Sequence, residues 1–284
     1  MIKNNQDICL RMNSSDMRQY NPEGSLLRRD QQKLVELLKV FATICEENDI
    51  RWWLCSGTLI GAARHKGFVP WDDDIDIAMM KKDYRKLLRV MRKWKSDKYF
   101  FQTMRTDIEY VNVFPRFCYK EKKEHVSNAR TRYFKCQGLS FDIFPMEKSS
   151  RFAAHMSKNF YQNMQHPTRY IKNKLLRRIC IRLVQLINFG LLLPFARLVA
   201  LINPKRQYHY ILGAGFWRSA FYAEDIFPLT TMEFEGNMFP VPGNTDAYLT
   251  KIYGDWRKLP SEEKIKRSIH CREYYEEIFG EQKK

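Results

Sequence analysis

From Ser56 to Met79 the chain reads SGTLIGAARHKGFVPWDDDIDIAM. Just upstream, Ile50 to Cys55 (IRWWLC) is a short run of β-branched and aromatic side chains, the kind that fits a pleated, half-buried surface. It runs into Ser56-Gly57-Thr58, and the LIGAARH that follows has helical character. The order is strand, turn, helix. Backbone N–H groups at such a helix start can bind phosphate oxygens. Beyond Val69-Pro70, the alternation Asp74-Ile75-Asp76-Ile77 predicts a second strand, and Lys81 to Lys93 reads as the next helix.

Residues two apart in a strand share a face, so Asp72, Asp74 and Asp76 are expected on one side and Asp73, Ile75 and Ile77 on the other. The two isoleucines imply a core beneath the strand. Three like charges beside a core favour a divalent cation, and an all-oxygen donor set suits Mg2+ or Mn2+. The plainer reading is a solvated acidic turn. Asp142 stands alone in the apolar GLSFDIFP (138–145), in a strand over 139–144 that Pro145 is expected to close. Its charge needs an arginine partner or a metal shared with Asp74 and Asp76, and the residues by themselves leave both open.

Working outward, residues 1–24 are polar and unpatterned, which predicts a loose tail. Leu27, Leu34, Leu37, Leu38, Phe41 and Ile44 recur at helical spacing and predict an amphipathic helix from Leu26 to about Asn48, covering one face of a sheet. A further strand is expected within 110–118. The core should then occupy 25–150, with a mainly helical, aromatic-rich region over 151–284 packed on it. A chain of 284 residues, 44% apolar, can bury such a core.

Forty-nine Lys and Arg against 32 Asp and Glu leave a net charge of +17, which attracts phosphates, nucleic acid, anionic lipid or acidic glycans. Seven scattered cysteines without a CxxC pair argue against a disulfide framework and a zinc finger. With no apolar core of secretory length in the first residues, a cytoplasmic setting is expected. Leu183 to Ala196 (LVQLINFGLLLPFA) is uncharged but too short to span a bilayer. It reads either as a buried helix or as a helix lying at the inner face of a membrane, where Lys172, Lys174, Arg177, Arg178 and Arg182 would meet anionic headgroups and the contact would run over 172–202.

The 56–79 stretch resembles the signature of the LicD family, which eukaryotic fukutin-related proteins share. The segments GLSFDIFP, YAEDIFPLTTMEFEG and YLTKIYGDWRKLP follow in the family's order, so the resemblance covers about residues 26–270. It implies an α/β (α+β) fold of nucleotidyltransferase type, a mixed sheet flanked by helices. It also implies transfer of a phospho-alcohol from a CDP-alcohol, CDP-choline foremost, to a hydroxyl of a glycan (lipopolysaccharide, teichoic acid or capsule) or its lipid-linked precursor, releasing CMP. Gly57 and Thr58 match the family's phosphate-binding turn, Asp74 and Asp76 its metal pair and Asp142 its third carboxylate. Asp72 falls on a further acidic position, and His270 on a frequent one to which no role is given. Ser56 stands where a glycine is frequent, and Lys120 to Lys135 lacks the usual short turn.

On this reading Asp74 and Asp76 hold a metal on the diphosphate, Asp142 with one of them holds a second, and Asp72 is a candidate for taking the acceptor's proton or orienting a metal-bound water. Ser56, Gly57, Thr58, Arg64 and Lys66 are expected to contact substrate, Arg64 for its planar fork unless it instead pairs with an acid; His65 reads as structural. Trp52, Trp53, Trp71, Tyr84, Tyr253 and Trp256 can supply an aromatic cage for choline or ordinary core. The alternatives are transfer of a nucleoside monophosphate by the same site, and a basic nucleic-acid binder. No recognised nucleic-acid module supports the second, so no specific nucleic acid is expected.

Overall fold

The computed structural model describes residues 17–122, 131–202, 207–210, 218–269 and 271–280. Helix α1 (Leu26–Glu47) starts where the Ser25 side chain accepts a hydrogen bond from the Arg28 N–H at 3.1 Å, and its apolar stripe from Leu27 to Cys45 is buried. Strand β1 (Trp53–Leu54) and α2 (Ser56–His65) follow, then β2 (Asp76–Met80), α3 (Lys81–Lys93), β3 (Tyr99–Gln102), β4 (Arg116–Tyr119) and the nine-residue β5 (Ser140–Lys148). Phe41 of α1 meets Phe117 and Phe141 edge to face or tilted, with ring centroids 5.7 and 5.3 Å apart. Side chains of this kind, buried completely, each contribute roughly 1.5–3 kcal/mol.

The second half is mainly helical: α4 (Arg151–Phe160), then α5 (Lys174–Ile187) and α6 (Leu193–Leu201), joined without a break by a π-helical turn over Asn188–Leu192. Strand β6 (Tyr208–Tyr210), the short α7 (Ala223–Ile226), the hairpin β7 (Thr230–Phe234) and β8 (Asn237–Val241), and helices α8 (Thr245–Tyr253), α9 (Glu262–Ser268) and α10 (Arg272–Phe279) complete it. The main sheet runs β1-β2-β5-β4-β3, with β6 also on β5; β2 and β5 are parallel and the other pairs antiparallel. The fold is therefore the expected α/β architecture, a mixed sheet with helices and a helical carboxyl-terminal region on it.

Several expectations need correction. Pro145 does not close β5; it lies inside it, paired with Met79. The reason is which way its missing donor would point. Asp142 N–H bonds to Ile75 on the β2 side and Ile143 N–H to Pro115 on the β4 side. Position 145 therefore faces the same edge as 143, where β4 has ended at Asp142 and β6 begins only at Met146. The acidic strand begins at Asp76, with Asp72 in a turn closed by its own N–H to the Val69 carbonyl (2.8 Å). Residues 17–20 form a 3-10 turn, and Tyr20 is buried with its ring 5.4 Å from that of Trp71. The sheet's sixth strand comes from beyond residue 150. Leu183 to Ala196 is not a buried helix, because most of its leucines face outward. His270, Phe216-Trp217 and residues 123–130 lie outside the described residues.

Candidate active site

Partners in register across adjacent strands project to the same face. Asp76 of β2 pairs with Asp142 of β5, Asp142 with Arg116 of β4, and Arg116 with Gln102 of β3. Those pairings line up one polar row across four strands. The neighbouring rows hold Ile77 with Ile143, and Phe117 with Phe141, all essentially inaccessible. At the β1 end, the Cys55 N–H donates to the Asp76 carbonyl at 3.1 Å. The row sits near the amino-terminal ends of the parallel pair, beside the start of α2.

The turn into α2 is fastened to this row. Thr58 Oγ1 accepts from the Asp76 N–H at 2.8 Å, and the buried Ser56 hydroxyl, which donates to Cys55 Sγ at 3.6 Å, lies near enough to the Asp76 carboxylate to favour its ionised form. Ser56 has a φ of +52°, in the left-handed region that costs a residue with a Cβ about 1–2 kcal/mol. That is why glycine suits the position; what serine adds there is a hydroxyl beside Asp76. Gly57 makes room for Asp72: a Cβ at 57 would lie 2.4 Å from Asp72 Oδ2, so any other residue would move that carboxylate. The Ser-Gly-Thr turn thus seats Asp72 and Asp76 directly.

Electrostatics sharpen the picture. Desolvation, then the charges of Asp74, Asp73 and Asp76, push the Asp72 carboxyl well above its usual range. Asp74 is exposed at the mouth of the cluster, and desolvation together with the charges of Asp73 and Asp142 raises its carboxyl above the usual range, against Asp72 and Arg116. Asp76 is raised by desolvation and by Asp74 and Asp142, with Ser56 and Arg116 pulling the other way. Burial works against the Arg116 charge, but Asp142, whose Oδ1 accepts from Arg116 Nε at 2.7 Å, more than offsets it. The arginine partner foreseen as one answer for Asp142 is thus present.

A hard cation fits part of this cluster. Among the described residues no three His, Cys, Asp or Glu side chains form a ready metal cage. Magnesium, however, is commonly held by one or two carboxylates completed by substrate phosphates and water. Mutually repelling Asp74 and Asp76 offer such a pair, all oxygen, with Asp142 beside Asp76 and tied to Arg116.

Arg64 and Lys66 lie at the other end of α2. Arg64 donates to His65 Nε2 at 2.9 Å and to the Trp256 carbonyl at 3.2 Å, and burial lowers its pKa to about 10. Lys66 pairs with Glu233 at 3.3 Å. Trp52, Trp53, Trp71 and Trp256 are core. Tyr253 is 40% exposed, and its hydroxyl is raised by burial and then by Asp76 and Asp72, so it faces the carboxylates. Beneath it, Trp53 Nε1 donates to Tyr248 Oη at 3.3 Å, Tyr248 meets Tyr210, and the Cys55 thiol faces Tyr210. Reading the sequence misses Arg116, Gln102 and this tyrosine floor. A signal existed for Arg116, a lone cation in an apolar strand that mirrors the lone Asp142.

A mixed sheet with acidic side chains on its parallel pair, adjoining a Ser-Gly helix start, has the form of a nucleotidyltransferase-type domain. Residues 49–183 match the family described as LicD/FKTN/FKRP, nucleotidyltransferase domain, and that part of the chain is a domain of this family, as the resemblance implies. It is 29% identical over 263 residues to the lipopolysaccharide cholinephosphotransferase LicD of Haemophilus influenzae, covering 88% of this chain and 97% of that one. It is also 38% identical over 50 residues to the human ribitol 5-phosphate transferase FKRP, covering 18% of this chain and 10% of that protein. An uncharacterized Rickettsia typhi protein is 38% identical over 145 residues, covering 49% of this chain and 38% of that protein.

Proposed function

We propose that the chain is a LicD-family phospho-alcohol transferase that moves phosphocholine from CDP-choline to a hydroxyl of a cell-surface glycan or its lipid-linked precursor. The observation that carries this reading is the row Asp76, Asp142, Arg116 abutting Ser56 and Gly57 at the start of α2. The Haemophilus influenzae relative, matched over nearly its whole length, supports phosphocholine as the transferred group. A bond forms from the acceptor oxygen to the distal phosphorus, the bond from that phosphorus to the bridging oxygen breaks, and CMP leaves.

The residues divide the work. Asp74 and Asp76 are the groups for Mg2+ or Mn2+, which when bound supplies the positive charge that a diphosphate and an attacking oxygen require. Thr58 fixes Asp76 through its backbone N–H, and the nearby Ser56 hydroxyl favours the ionised Asp76 carboxylate. Arg116 holds one oxygen of Asp142, orients it beside Asp76 and lends the donor a positive field. Asp72, against Gly57, is placed to receive the acceptor's proton in its ionised form, which positive charge bound at Asp74 and Asp76 would favour over the protonated one. Tyr253 lines the approach to the carboxylates and offers a ring to the choline head.

Phosphorus NMR tests the reading. Protein incubated with CDP-choline, Mg2+ and an oligosaccharide acceptor should generate CMP and a phosphodiester. No CMP from any CDP-alcohol, together with pyrophosphate from a nucleoside triphosphate, would instead assign nucleotidyl transfer to the same carboxylates.

A further inference from the structure

The continuous helix from Lys174 to Leu201 is inside out. An amphipathic helix of a soluble domain buries its apolar stripe and shows its polar one. Here the buried side carries Arg177 (3% exposed), Gln185 and Asn188 among its contacts, while Leu175, Leu186 and Leu191 are 71, 69 and 66% exposed. The outward side chains recur in helical steps through Leu175, Ile179, Leu183 and Leu186. The π-helical turn over Asn188–Leu192 then adds one residue to the step, so that Leu191, Phe195 and Leu198 continue the same stripe. Without that turn the stripe would rotate away from its line.

Charge names the occupant. From Lys148 to Ala223 the sequence holds thirteen Lys and Arg and not one Asp or Glu, so most of the chain's excess positive charge sits in the segment that exposes the stripe. Lys172, Lys174 and Arg182 are exposed around its amino-terminal half. Two copies meeting stripe to stripe would bring these cations together. An anionic bilayer instead accepts leucines among its acyl chains and lysines among its phosphates.

The helix is long and apolar enough to cross a membrane by length and composition. Its inner face forbids crossing, because Arg177 is clasped by Glu109 (2.7 Å) and by the carbonyls of Ile171 and Lys172, and Ile181 packs on Tyr110 and Phe134. We infer that α5, the π-turn and α6 form a monotopic anchor, lying in the plane of an anionic membrane surface with the sheet domain on its aqueous side. The anchor also touches the site's support. Leu193 packs on Val113, Tyr110 donates to the Phe114 carbonyl at 2.9 Å, and two residues later Arg116 enters the polar row.

Co-sedimentation of the full chain with large vesicles tests this independently of the donor chemistry. Vesicles of phosphatidylcholine with about one-third phosphatidylglycerol should carry the protein down, phosphatidylcholine alone much less, and raising salt to about 0.5 M should weaken binding roughly tenfold or more. Replacing Leu183→Gln, Leu186→Gln and Leu191→Gln together should cost at least about 100-fold in partitioning while leaving thermal unfolding unchanged, since these side chains are already in water. Asp76→Asn should sediment like the wild type, which separates membrane contact from catalysis. No binding to anionic vesicles overturns the inference, as does undiminished binding by the triple variant. A stable homodimer that the triple variant dissociates would assign the stripe to a second copy and overturn it equally.

Discussion

Two residues carry conflicts that can be measured. Ser56 accepts a left-handed φ of +52° and sets its hydroxyl beside Asp76. Ser56→Ala and Ser56→Gly both lose the hydroxyl but differ in backbone preference, so urea unfolding should find the glycine variant more stable by about 1 kcal/mol. Equal stabilities would remove the backbone account. His65 accepts from Arg64 through Nε2, and burial, followed by the Arg64 charge, lowers its pKa from 6.5 to about 4. Between those values the unfolded chain binds the proton and the folded one does not. Its contribution is therefore complete above pH 6.5 and is lost as pH falls toward 4. His65→Gln should show a flatter decline of unfolding free energy from pH 6.5 to 5 than the wild type; parallel declines would exclude His65 as the source.

At the scale of elements, the β7–β8 hairpin acts as a clamp. Its tip, Glu235-Gly236, has φ values of +51° and +71°, a two-residue turn whose twist matches the strands. The Glu235 N–H donates to the Lys66 carbonyl at 2.8 Å, and its carboxylate accepts from the Phe68 N–H at 3.0 Å and from Arg28 at 2.8 Å. The hairpin thereby holds the loop that delivers the acidic run. Glu235→Ala should cost about 2 kcal/mol in chemical denaturation; a loss within about 0.5 kcal/mol would show that the loop holds itself.

The same scale explains what was legible. Local periodicity located α1 and α3 and the alternation of Asp74 and Asp76 with Ile75 and Ile77, because each depends only on neighbours in the chain. Arg116 on Asp142 and the role of Pro145 depend on register between strands far apart in sequence, which no local pattern encodes. The apolar run 183–196 is equally compatible with a core and a surface helix. Only the burial of Arg177, Gln185 and Asn188 decides which way it faces.

For the molecule as a whole, the net charge of +17 is not spread evenly. It gathers in the acid-free segment from Lys148 to Ala223, while the acidic cluster lies on the sheet and the Ser56 turn. The first half supplies the carboxylates and the second half supplies Tyr253 beside them, with Tyr210 and Tyr248 buried against Cys55 and Trp53, which is why the carboxyl-terminal region cannot be treated as an appendage. The most direct test of the central claim is CMP release from CDP-choline with Mg2+, measured on wild type and Asp76→Asn side by side. The account predicts release that chelation of the metal abolishes, and a loss of at least about 100-fold in the variant at unchanged thermal stability. Wild-type turnover by Asp76→Asn, or release indifferent to the metal, would contradict it.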